Sequence, residues 1–329
     1  MSTRRVLVIG SNGLLGQKVA EILVRGSAYS ITLSSLENKP LRPLGTTEYI
    51  QANITVKKEV KQLLGACEPD IIVNCAAMTN VDACENEREL AWKINVEGVE
   101  NIIEAARRGN QKVVHVSTDY IFDGKLGPYT EEDRPNPINY YGKTKLASEN
   151  ALRASGLDFF ITRTMVLYGH APGAKQNFSL WLIQSLERKS PIRVVDDQLG
   201  NPTLADDLAY GIVRGIELER SGIYNIAGRD IISRYDFALR LAQIFNFDPG
   251  LISPIKTSQL RQPAARPLKS GLITLKAEVE LGFKPSTTDQ GLVVLKNQLS
   301  RTSKRLADSG PVPGSASARQ TSGGRQSKR

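Results

Sequence analysis

The architecture of this chain follows from residues 5–16, which read RVLVIGSNGLLG. Residues 5–9 form a short run that is mainly apolar and β-branched, and this composition predicts a buried strand. A glycine-rich turn follows directly, and apolar side chains then recur at helical spacing as far as Leu23. Strand, glycine turn and helix, in this order, are the setting that a dinucleotide-binding fingerprint requires.

The three glycines of this turn have separate predicted roles. Gly10 permits the tight turn, Gly13 lets the backbone approach a pyrophosphate, and Gly16 lets the helix lie close to the strand. A pyrophosphate is favoured here because a helix N-terminus attracts negative charge. The spacing is GxxGxxG rather than GxGxxG, and the alternative interpretation is a glycine turn in an ordinary βα unit.

The end of the next strand, residues 30–33, bears on the choice of cofactor. An NAD-preferring site usually has an acidic residue there, about 20 residues after the glycines. This chain has Ser34 and Ser35 instead, and the cations Lys39 and Arg42 follow. The missing carboxylate and the nearby cations favour the 2′-phosphate of NADPH, or tolerance of both NADPH and NADH. The alternative is that the two cations belong to a solvated loop.

A tyrosine and a lysine lie four residues apart at Tyr141 and Lys145, in a predicted helix over residues 141–155. Positions i and i+4 share one face of a helix, so the two side chains can meet. A lysine beside a tyrosine favours the phenolate and lowers the pKa of the phenol from its usual value of about 10. Such a tyrosine can exchange a proton with a substrate oxygen near neutral pH. The alternative is coincidence, because this spacing alone is common.

Strands and helices alternate through the first half of the chain. This βαβ succession predicts an α/β fold with a Rossmann-type, doubly wound parallel sheet. Ligands of such sheets bind beyond the carboxyl ends of the strands. The predicted strands are 70–74, 112–116 and 158–162, and the predicted helices are 56–64 and 89–107. The segments expected to converge on the ligand edge are residues 10–16, 75–77, 117–119 and 163–168.

After residue 168 the alternation becomes less regular, with short strands, helices and Pro-rich loops. We therefore expect an NAD(P)-binding Rossmann domain over residues 1–168 and a smaller C-terminal lobe that binds substrate. The lobe would comprise residues 169–202 and 229–300, while residues 203–228 return to the main domain. Residues 301–329 would form a disordered basic tail, because they are rich in Ser, Gly and Arg and poor in apolar side chains.

The net charge of +9 is concentrated in this basic tail. The tail carries seven lysines and arginines and one acid, so it supplies +6 and leaves +3 for the other residues. The charge therefore gives no support for a nucleic-acid partner, and a solvated extension is the simpler interpretation. A weak contact with an acidic partner is the alternative.

Several other classes of protein are disfavoured by composition. We expect neither a membrane span nor a signal peptide, because no apolar stretch is long enough and no cleavage site follows the N-terminus. Cys67, Cys75 and Cys84 show neither metal spacing nor a disulfide framework, which predicts a reducing, cytoplasmic location. The only histidines are His115 and His170, so a histidine-rich metal site is not expected. His115 lies in a β-branched run, which predicts a core residue.

A further set of motifs occurs in order along the chain. The stretches are GSNGLLGQ (10–17), NCAAMTNVDACE (74–85), INVEGVENI (94–102), VSTDYIFDG (116–124), PYTEEDRPNPINYYGKTKLASE (128–149), DQLGNPTLADDLA (197–209), GIYNIAG (222–228) and, more weakly, ARPLKSGL (265–272). Together they resemble the extended short-chain dehydrogenases/reductases, and within them most of all the dTDP-4-dehydrorhamnose reductase family. The resemblance implies NADPH-dependent reduction of the 4-keto group of a dTDP-linked 6-deoxy sugar, in dTDP-L-rhamnose biosynthesis.

The resemblance implies that Thr118, Tyr141 and Lys145 are the catalytic residues. Thr118 would hydrogen-bond the substrate carbonyl, and Tyr141 would donate the proton as hydride arrives. Lys145 would lower the pKa of the tyrosine and bind the nicotinamide ribose. The cofactor would carry the hydride chemistry, while the protein aligns it and stabilises the developing alkoxide.

Binding residues also follow from the resemblance. Asn53 and Ile54 would flank the adenine, Arg266 would suit a diphosphate, and Asn95 would support the geometry of the active site. The expected cofactor residues are Gly10, Asn12, Gly13, Leu14, Leu15, Gly16, Ser34, Asn53, Ile54, Ala76 and Ala77, together with Tyr141 and Lys145. The expected substrate residues are Thr118, Asn177, Gln198 and Arg266. For the last three, the alternative is a structural role of polar residues in loops.

Two departures from the family pattern lie on the substrate side. Val166 stands where the family has tryptophan, and Lys269 stands where it has asparagine. They leave the redox residues intact but put the identity of the sugar in doubt. We find no set of acidic residues that suits a metal ion, so no metal is expected.

Two other functions stay open. The first is another nucleotide-sugar epimerase or epimerase-reductase, which would need a further acid/base group; Asp119 or Cys75 fits that role only loosely. The second is an NADP-binding regulatory subunit that resembles the β subunit of methionine adenosyltransferase. A purely regulatory protein would not need Thr118, Tyr141 and Lys145 together, which weighs against this alternative. A homodimer is a candidate assembly.

Overall fold

A computed structural model describes residues 3–26 and 28–308 of the chain. The strands are β1 (Arg4–Ile9), β2 (Tyr29–Ser35), β3 (Glu48–Gln51), β4 (Ile71–Asn74), β5 (Lys112–Thr118), β6 (Phe159–Thr164), β7 (Leu167–Tyr168), β8 (Ile192–Val195), β9 (Leu199–Gly200), β10 (Thr203–Leu204), β11 (Gly222–Asn225), β12 (Ile232–Ser233) and β13 (Ile252–Ile255). The helices are α1 (Leu14–Gly26), α2 (Lys57–Cys67), α3 (Val81–Asn86), α4 (Arg88–Trp92), α5 (Gly98–Ala106), α6 (Tyr140–Arg153), α7 (Phe178–Glu187), α8 (Ala205–Glu217), α9 (Arg234–Phe245), α10 (Leu275–Leu281) and α11 (Thr288–Asp308).

Seven strands form the main sheet in the order β11-β6-β5-β4-β1-β2-β3. All neighbouring strands of this sheet run parallel. The chain starts at β1 and winds outward in both directions, so the strand order reverses between β1 and β4. Ligands of doubly wound sheets bind at this crevice. The predicted Rossmann-type sheet is therefore confirmed.

Both faces of the sheet are covered by helices, which explains why β1 is continuously apolar. Val6 and Val8 belong to one buried core, with residues of α1 and α8. Leu7 and Ile9 belong to a second buried core, with residues of α2 and α5. Successive side chains of a strand point to opposite faces, so a strand buried on both faces has no polar alternation.

The C-terminal part has a smaller apolar core of its own. Phe237 and Leu241 of α9 pack there with buried residues of α7 and α11, and the short pair β8–β13 joins them. Residues 203–228 take a different place, because α8 packs into the first core and β11 pairs with β6 at the edge of the main sheet. The helix α11 continues to Asp308, so it extends past residue 301, where we expected disorder to begin. Residues 309–329 lie outside the described part.

The predicted helix over residues 89–107 is interrupted. It consists of α4, a π-helical turn at Lys93–Glu97, and α5. Within the turn, the Asn95 side chain accepts a hydrogen bond from Met78 N at 2.8 Å and donates to Thr144 Oγ1 at 3.1 Å. An extra residue in a helical turn often marks a functional site, and here it accompanies an amide that ties two segments together. Apolar periodicity alone does not reveal such a turn.

The described residues contain no helix that is long and apolar enough to cross a bilayer.

Candidate functional site

The glycine turn lies against the end of β4. Gly10 has φ +75°, and a Cβ there would lie 2.7 Å from Ala76 N. The neighbouring Cys75 N donates to Ile9 O at 2.9 Å. Two of the predicted cofactor segments, residues 10–16 and 75–77, are thus in direct contact at the switch point of the sheet. A side chain at position 10 would separate them.

The start of α1 is close to the strand but open to a ligand. A Cβ at Gly16 would lie 2.2 Å from Gly10 O, which no side chain tolerates. A Cβ at Gly13 would meet only Gly10 O, at 3.3 Å, among the described atoms within 4 Å. Gly16 therefore serves close packing, whereas Gly13 leaves the backbone accessible at a helix N-terminus, where an anion is favoured.

Gly16→Ala should weaken both the fold and NADPH binding. The added methyl group must displace backbone, and such overpacking costs about 1–3 kcal/mol of unfolding free energy. Denaturant unfolding and fluorescence titration with NADPH measure the two effects. Gly65→Ala is the control, because a Cβ at this position in α2 meets nothing within 4 Å. The control should gain up to about 1 kcal/mol from helix propensity, and an equal response of both variants would contradict the close-packing role.

Buried hydroxyl groups lie at the ends of β1 and β2. Ser35 Oγ accepts a hydrogen bond from Asn12 N at 3.0 Å. Ser11 Oγ and Ser34 Oγ are buried and have no hydrogen-bond partner within the described residues. Unpaired buried hydroxyls are costly, so an edge that keeps two of them fits a polar ligand. This observation agrees with a bound dinucleotide at this edge.

The side chain of Asn12 holds the loop after β2 in place. Asn12 Oδ1 accepts from Leu41 N at 2.8 Å, and its Nδ2 donates to Glu37 Oε2 at 3.0 Å. Arg42 forms an ion pair with Glu21 of α1 at 3.0 Å. Arg42 would have to share its guanidinium between Glu21 and a 2′-phosphate, so its contact with the phosphate stays a prediction.

The predicted adenine residues lie on the loop between β3 and α2. Asn53 Oδ1 accepts from Thr55 N at 3.0 Å, which closes a local turn. Ile54 is buried, and its carbonyl oxygen accepts from Asn101 Nδ2 at 2.9 Å. These contacts fix the loop beside α5. That Asn53 and Ile54 flank the adenine of the cofactor stays a prediction.

The three predicted catalytic residues lie on β5 and α6. Thr118 ends β5, and its side chain lies beside the phenol of Tyr141 in the first turn of α6 and lowers the pKa of that phenol. Asn139 caps this helix: its Oδ1 accepts from Gly142 N at 2.8 Å, and its Nδ2 donates to Ala265 O at 2.8 Å. The cap fixes where α6 begins, and therefore where the phenol lies.

The pKa of the buried Tyr141 phenol is raised, not lowered as the sequence led us to expect. Burial raises this pKa above its usual value, the neighbouring Thr118 hydroxyl opposes the rise, and the nearby Asp119 adds to it. Lys145 Nζ lies 3.2 Å from His115 Nε2. Burial lowers the pKa of Lys145 to about 8, against the charge of Glu149, which raises it. The helical spacing was correct, but it said nothing about desolvation, which outweighs the charge effect here.

A buried acid that plays no part in the predicted catalytic set lies beside these residues. Asp119 Oδ2 accepts from Ser270 Oγ at 2.7 Å, and its Oδ1 accepts from Thr118 Oγ1 at 3.2 Å. Burial raises the pKa of Asp119 to about 6, while these hydrogen bonds and the charge of Arg234 lower it. Asp119 and Thr118 thus form one hydrogen-bonded unit beside Tyr141.

Two residues of the C-terminal part also belong to this cluster, and neither was predicted from the sequence as a site residue. Arg234 begins α9, and its charge lowers the pKa of the neighbouring Tyr120, which burial raises. The capping box formed by Ser233 and Asp236 predicts the start of α9 but not its neighbours. Ser270 contacts Asp119 over a separation of 151 residues. No local pattern in the sequence signals either contact.

The candidate substrate residues are engaged with the protein itself. Arg266 Nη2 donates to Asp82 Oδ2 at 2.8 Å, and the charge of Arg266 also lowers the pKa of Tyr120, so it lies beside the cluster. Asn177 caps α7, accepting from Leu180 N at 3.3 Å. Gln198 Nε2 donates to Thr257 Oγ1 at 3.0 Å. Arg266 is therefore the best placed of the three, and their substrate role stays a prediction.

The two departures from the family pattern have clear structural settings. Val166 has φ +46°, which is uncommon for a β-branched residue and marks a constrained turn after β6. Lys269 N donates to Gly124 O at 2.8 Å. The described residues contain no group of three or more His, Cys, Asp or Glu side chains placed to hold a metal ion.

Comparison with known proteins agrees with this geometry. The chain is 32% identical over 300 residues to dTDP-4-dehydrorhamnose reductase of Aggregatibacter actinomycetemcomitans, covering 88% of this chain and 97% of that protein. It is 29% identical over 283 residues to methionine adenosyltransferase 2 subunit beta of Rattus norvegicus, covering 84% of this chain and 82% of that protein.

A solved structure shares the fold along its full length. The dTDP-4-dehydrorhamnose reductase of Bacillus anthracis, in complex with NADP, superposes with a TM-score of 0.80 at 31% identity. The match covers 90% of this chain and 100% of that chain. The family model described as the RmlD substrate binding domain matches residues 4–300. The sheet, the glycine turn and this match together show that the chain belongs to the RmlD substrate binding domain family.

Proposed function

We propose that this protein is an NADPH-dependent oxidoreductase that reduces the 4-keto group of a dTDP-linked 6-deoxy sugar, as a dTDP-4-dehydrorhamnose reductase in dTDP-L-rhamnose biosynthesis. The observation that carries the proposal is the position of Thr118 beside the phenol of Tyr141, with Lys145 one helical turn farther along α6. This group lies at the same edge of the sheet as the glycine turn, so a ketone and a nicotinamide can meet there.

Thr118 and Tyr141 have different roles in the proposed ketone reduction. The Tyr141 hydroxyl can hydrogen-bond a carbonyl oxygen, and Thr118 can do the same when its hydrogen turns away from Asp119 Oδ1. Both bonds stabilise negative charge on that oxygen as it develops. Tyr141 then gives its phenolic proton to that oxygen. Because burial keeps the pKa of the phenol high, Tyr141 carries this proton before the reaction.

NADPH, when bound, supplies the hydride. The residues present fit this cofactor: Gly13 leaves the N-terminus of α1 accessible, and the unpaired hydroxyls of Ser11 and Ser34 lie at the same edge. Lys145, on the face of α6 that carries Tyr141, would bind the nicotinamide ribose. The NADP bound by the relative from Bacillus anthracis supports the same cofactor.

The test supplies the purified protein with NADPH and dTDP-4-dehydro-6-deoxy sugars, with and without a 3,5-epimerase, and follows the loss of NADPH absorbance. We expect turnover only when the epimerised 4-keto sugar is present. NADPH should be used at least as well as NADH, since no acidic side chain replaces Ser34 and Ser35 at the end of β2. A strong preference for NADH in initial rates would contradict this assignment.

Other outcomes of this assay would favour the alternatives. Tight NADPH binding without turnover of any keto sugar would favour a regulatory subunit, consistent with the similarity to methionine adenosyltransferase 2 subunit beta. Isomerisation of the sugar without net consumption of NADPH would favour an epimerase. A homodimer and a cytoplasmic location are further predictions, which sedimentation and cell fractionation test.

A further inference from the structure

The ring of His115 lies directly beside Lys145 and is completely buried. His115 Nε2 lies 3.2 Å from Lys145 Nζ and 3.1 Å from Ser148 Oγ, while Nδ1 lies 3.3 Å from Asn74 Nδ2. Among the described residues, His115 Nε2 is the one polar atom recorded within hydrogen-bonding distance of the Lys145 ammonium. The state of this ring therefore decides what the ammonium can bind.

Asn74 fixes which ring nitrogen carries the proton. Its Oδ1 accepts a hydrogen bond from Ala76 N at 3.1 Å, so its NH₂ group must face His115. An amide NH₂ only donates, and Nδ1 of the ring must therefore accept. Burial and the charge of Lys145 lower the pKa of His115 well below its usual value, so the ring is neutral. A neutral ring that accepts at Nδ1 has its proton on Nε2.

The Nε2 proton already has a place in this network. Ser148 Oγ donates its own hydrogen to Lys145 O at 2.8 Å and keeps a lone pair for the proton on Nε2 of His115. Lys145 as an ammonium has three donors and no acceptor. Nε2–H and the ammonium are therefore two donors that face each other, and the ring offers Lys145 no hydrogen bond.

The other charged and titratable groups around Lys145 do not supply its ammonium with a hydrogen-bond acceptor either. The carboxylate of Glu149 raises the pKa of Lys145, but both its oxygens are bound by Arg163, at 3.1 and 2.8 Å. Cys75 and Cys84 also face Lys145, and burial raises the pKa of Cys75 to about 12 and of Cys84 to about 11, so both stay neutral thiols.

We propose that His115 is a positioning residue for Lys145: held with its proton on Nε2, the ring denies the ammonium an acceptor inside the protein and leaves its N–H groups for acceptors in the cleft. On the basis of the proposed function, those acceptors are the ribose hydroxyls of NADPH. The ring packs behind the lysine and accepts no hydrogen bond from it. The tautomer itself does not depend on the proposed function.

The tautomer can be measured directly, because the chain has two histidines. His170→Gln leaves a single set of ring signals, and two-bond ¹H–¹⁵N spectra distinguish a protonated nitrogen from an unprotonated one. We expect His115 to show a protonated Nε2 and an unprotonated Nδ1 throughout the neutral range. A proton on Nδ1, or on both nitrogens, would overturn the proposal, whatever the activity of the protein.

A double-mutant cycle tests the consequence for Lys145. Asn74→Asp keeps the acceptor for Ala76 N but offers an acceptor to Nδ1, so the ring proton moves there and Nε2 can hold the ammonium. We expect NADPH affinity and kcat to fall about 10- to 100-fold, the range of one hydrogen bond to a charged group. The same change in a His115→Leu background should cost much less, because there is no ring to switch.

The cycle distinguishes the positioning role of His115 from the direct effect of the new charge. It also distinguishes that role from a failure of the proposed function. The direct effect of the new carboxylate is common to both backgrounds and cancels in the cycle. Equal losses of NADPH affinity in the presence and absence of the ring would overturn the positioning role. If the wild-type protein binds NADPH but reduces no sugar, the proposed function fails, yet the affinity cycle and the tautomer still test His115. If the variants of the double-mutant cycle do not fold, the tautomer of His115, measured with Asn74 and His115 unchanged, still confirms or overturns the proposal.

Discussion

Tyr141→Phe should abolish turnover while NADPH affinity stays nearly unchanged. The substitution removes one oxygen, which is the acid that protonates the substrate oxygen in the proposed reaction. General acid catalysis is typically worth about 10²- to 10⁴-fold in rate, so kcat should fall by at least that range. The aromatic ring remains and keeps its edge-on contact with Tyr120, whose centroid is 5.9 Å away, so the site should retain its shape. Steady-state rates and NADPH titration measure the two quantities.

Tyr140→Phe is the matched control for this variant. Tyr140 is the preceding residue of the same helix, and it stacks with Arg88 at 5.3 Å rather than facing Thr118. It should keep normal kcat. Normal turnover by Tyr141→Phe would remove Tyr141 as the acid, and Asp119, whose pKa is raised to about 6, would become the group to examine.

Glu149→Gln should destabilise the fold strongly, and by more than Gly16→Ala. Glu149 and Arg163 form a bidentate ion pair with side chains 0% and 2% exposed. The pair links α6, which carries Tyr141 and Lys145, to β6. Removing one charge of a buried pair leaves the other without compensation, which costs about 3–5 kcal/mol of unfolding free energy. The measurement is urea unfolding followed by circular dichroism.

Two control variants show whether burial is the cause. Glu217→Gln breaks an exposed pair with Arg214, and it should change the unfolding free energy by less than about 1 kcal/mol. The double change Glu149→Leu and Arg163→Met replaces the buried charges by apolar side chains and should regain much of the loss. If Glu149→Gln and Glu217→Gln have equally small effects, the buried pair is not a major source of stability.

Much of the fold could be predicted because its signals are local. The apolar run of β1, the glycine turn and the helix after it lie within a few consecutive turns of chain, and their periodicity is set by backbone geometry. The parallel sheet followed from the alternation of such units. The π-helical turn at Lys93–Glu97 and the extension of α11 to Asp308 did not, because they are decided by hydrogen bonding and packing that periodicity does not encode.

The candidate site was only partly predictable. Thr118, Tyr141 and Lys145 were identified by spacing and by resemblance, and the structure brings them to one edge with Gly10 and Ala76. The electrostatics differed from expectation. Lys145 contacts His115, and the pKa of the Tyr141 phenol is raised, since desolvation depends on every segment that covers the group.

The sequence by itself determined the order of strands and helices, the glycine turn and the face shared by Tyr141 and Lys145. Each of these depends on residues within a few positions of one another, where backbone geometry limits the choices. Only the tertiary structure decided that Arg234 and Ser270 join Asp119, that Arg42 is bound by Glu21, and that His115 lies behind the lysine. These contacts connect distant segments, and their energies depend on burial, which exists only once the chain has folded.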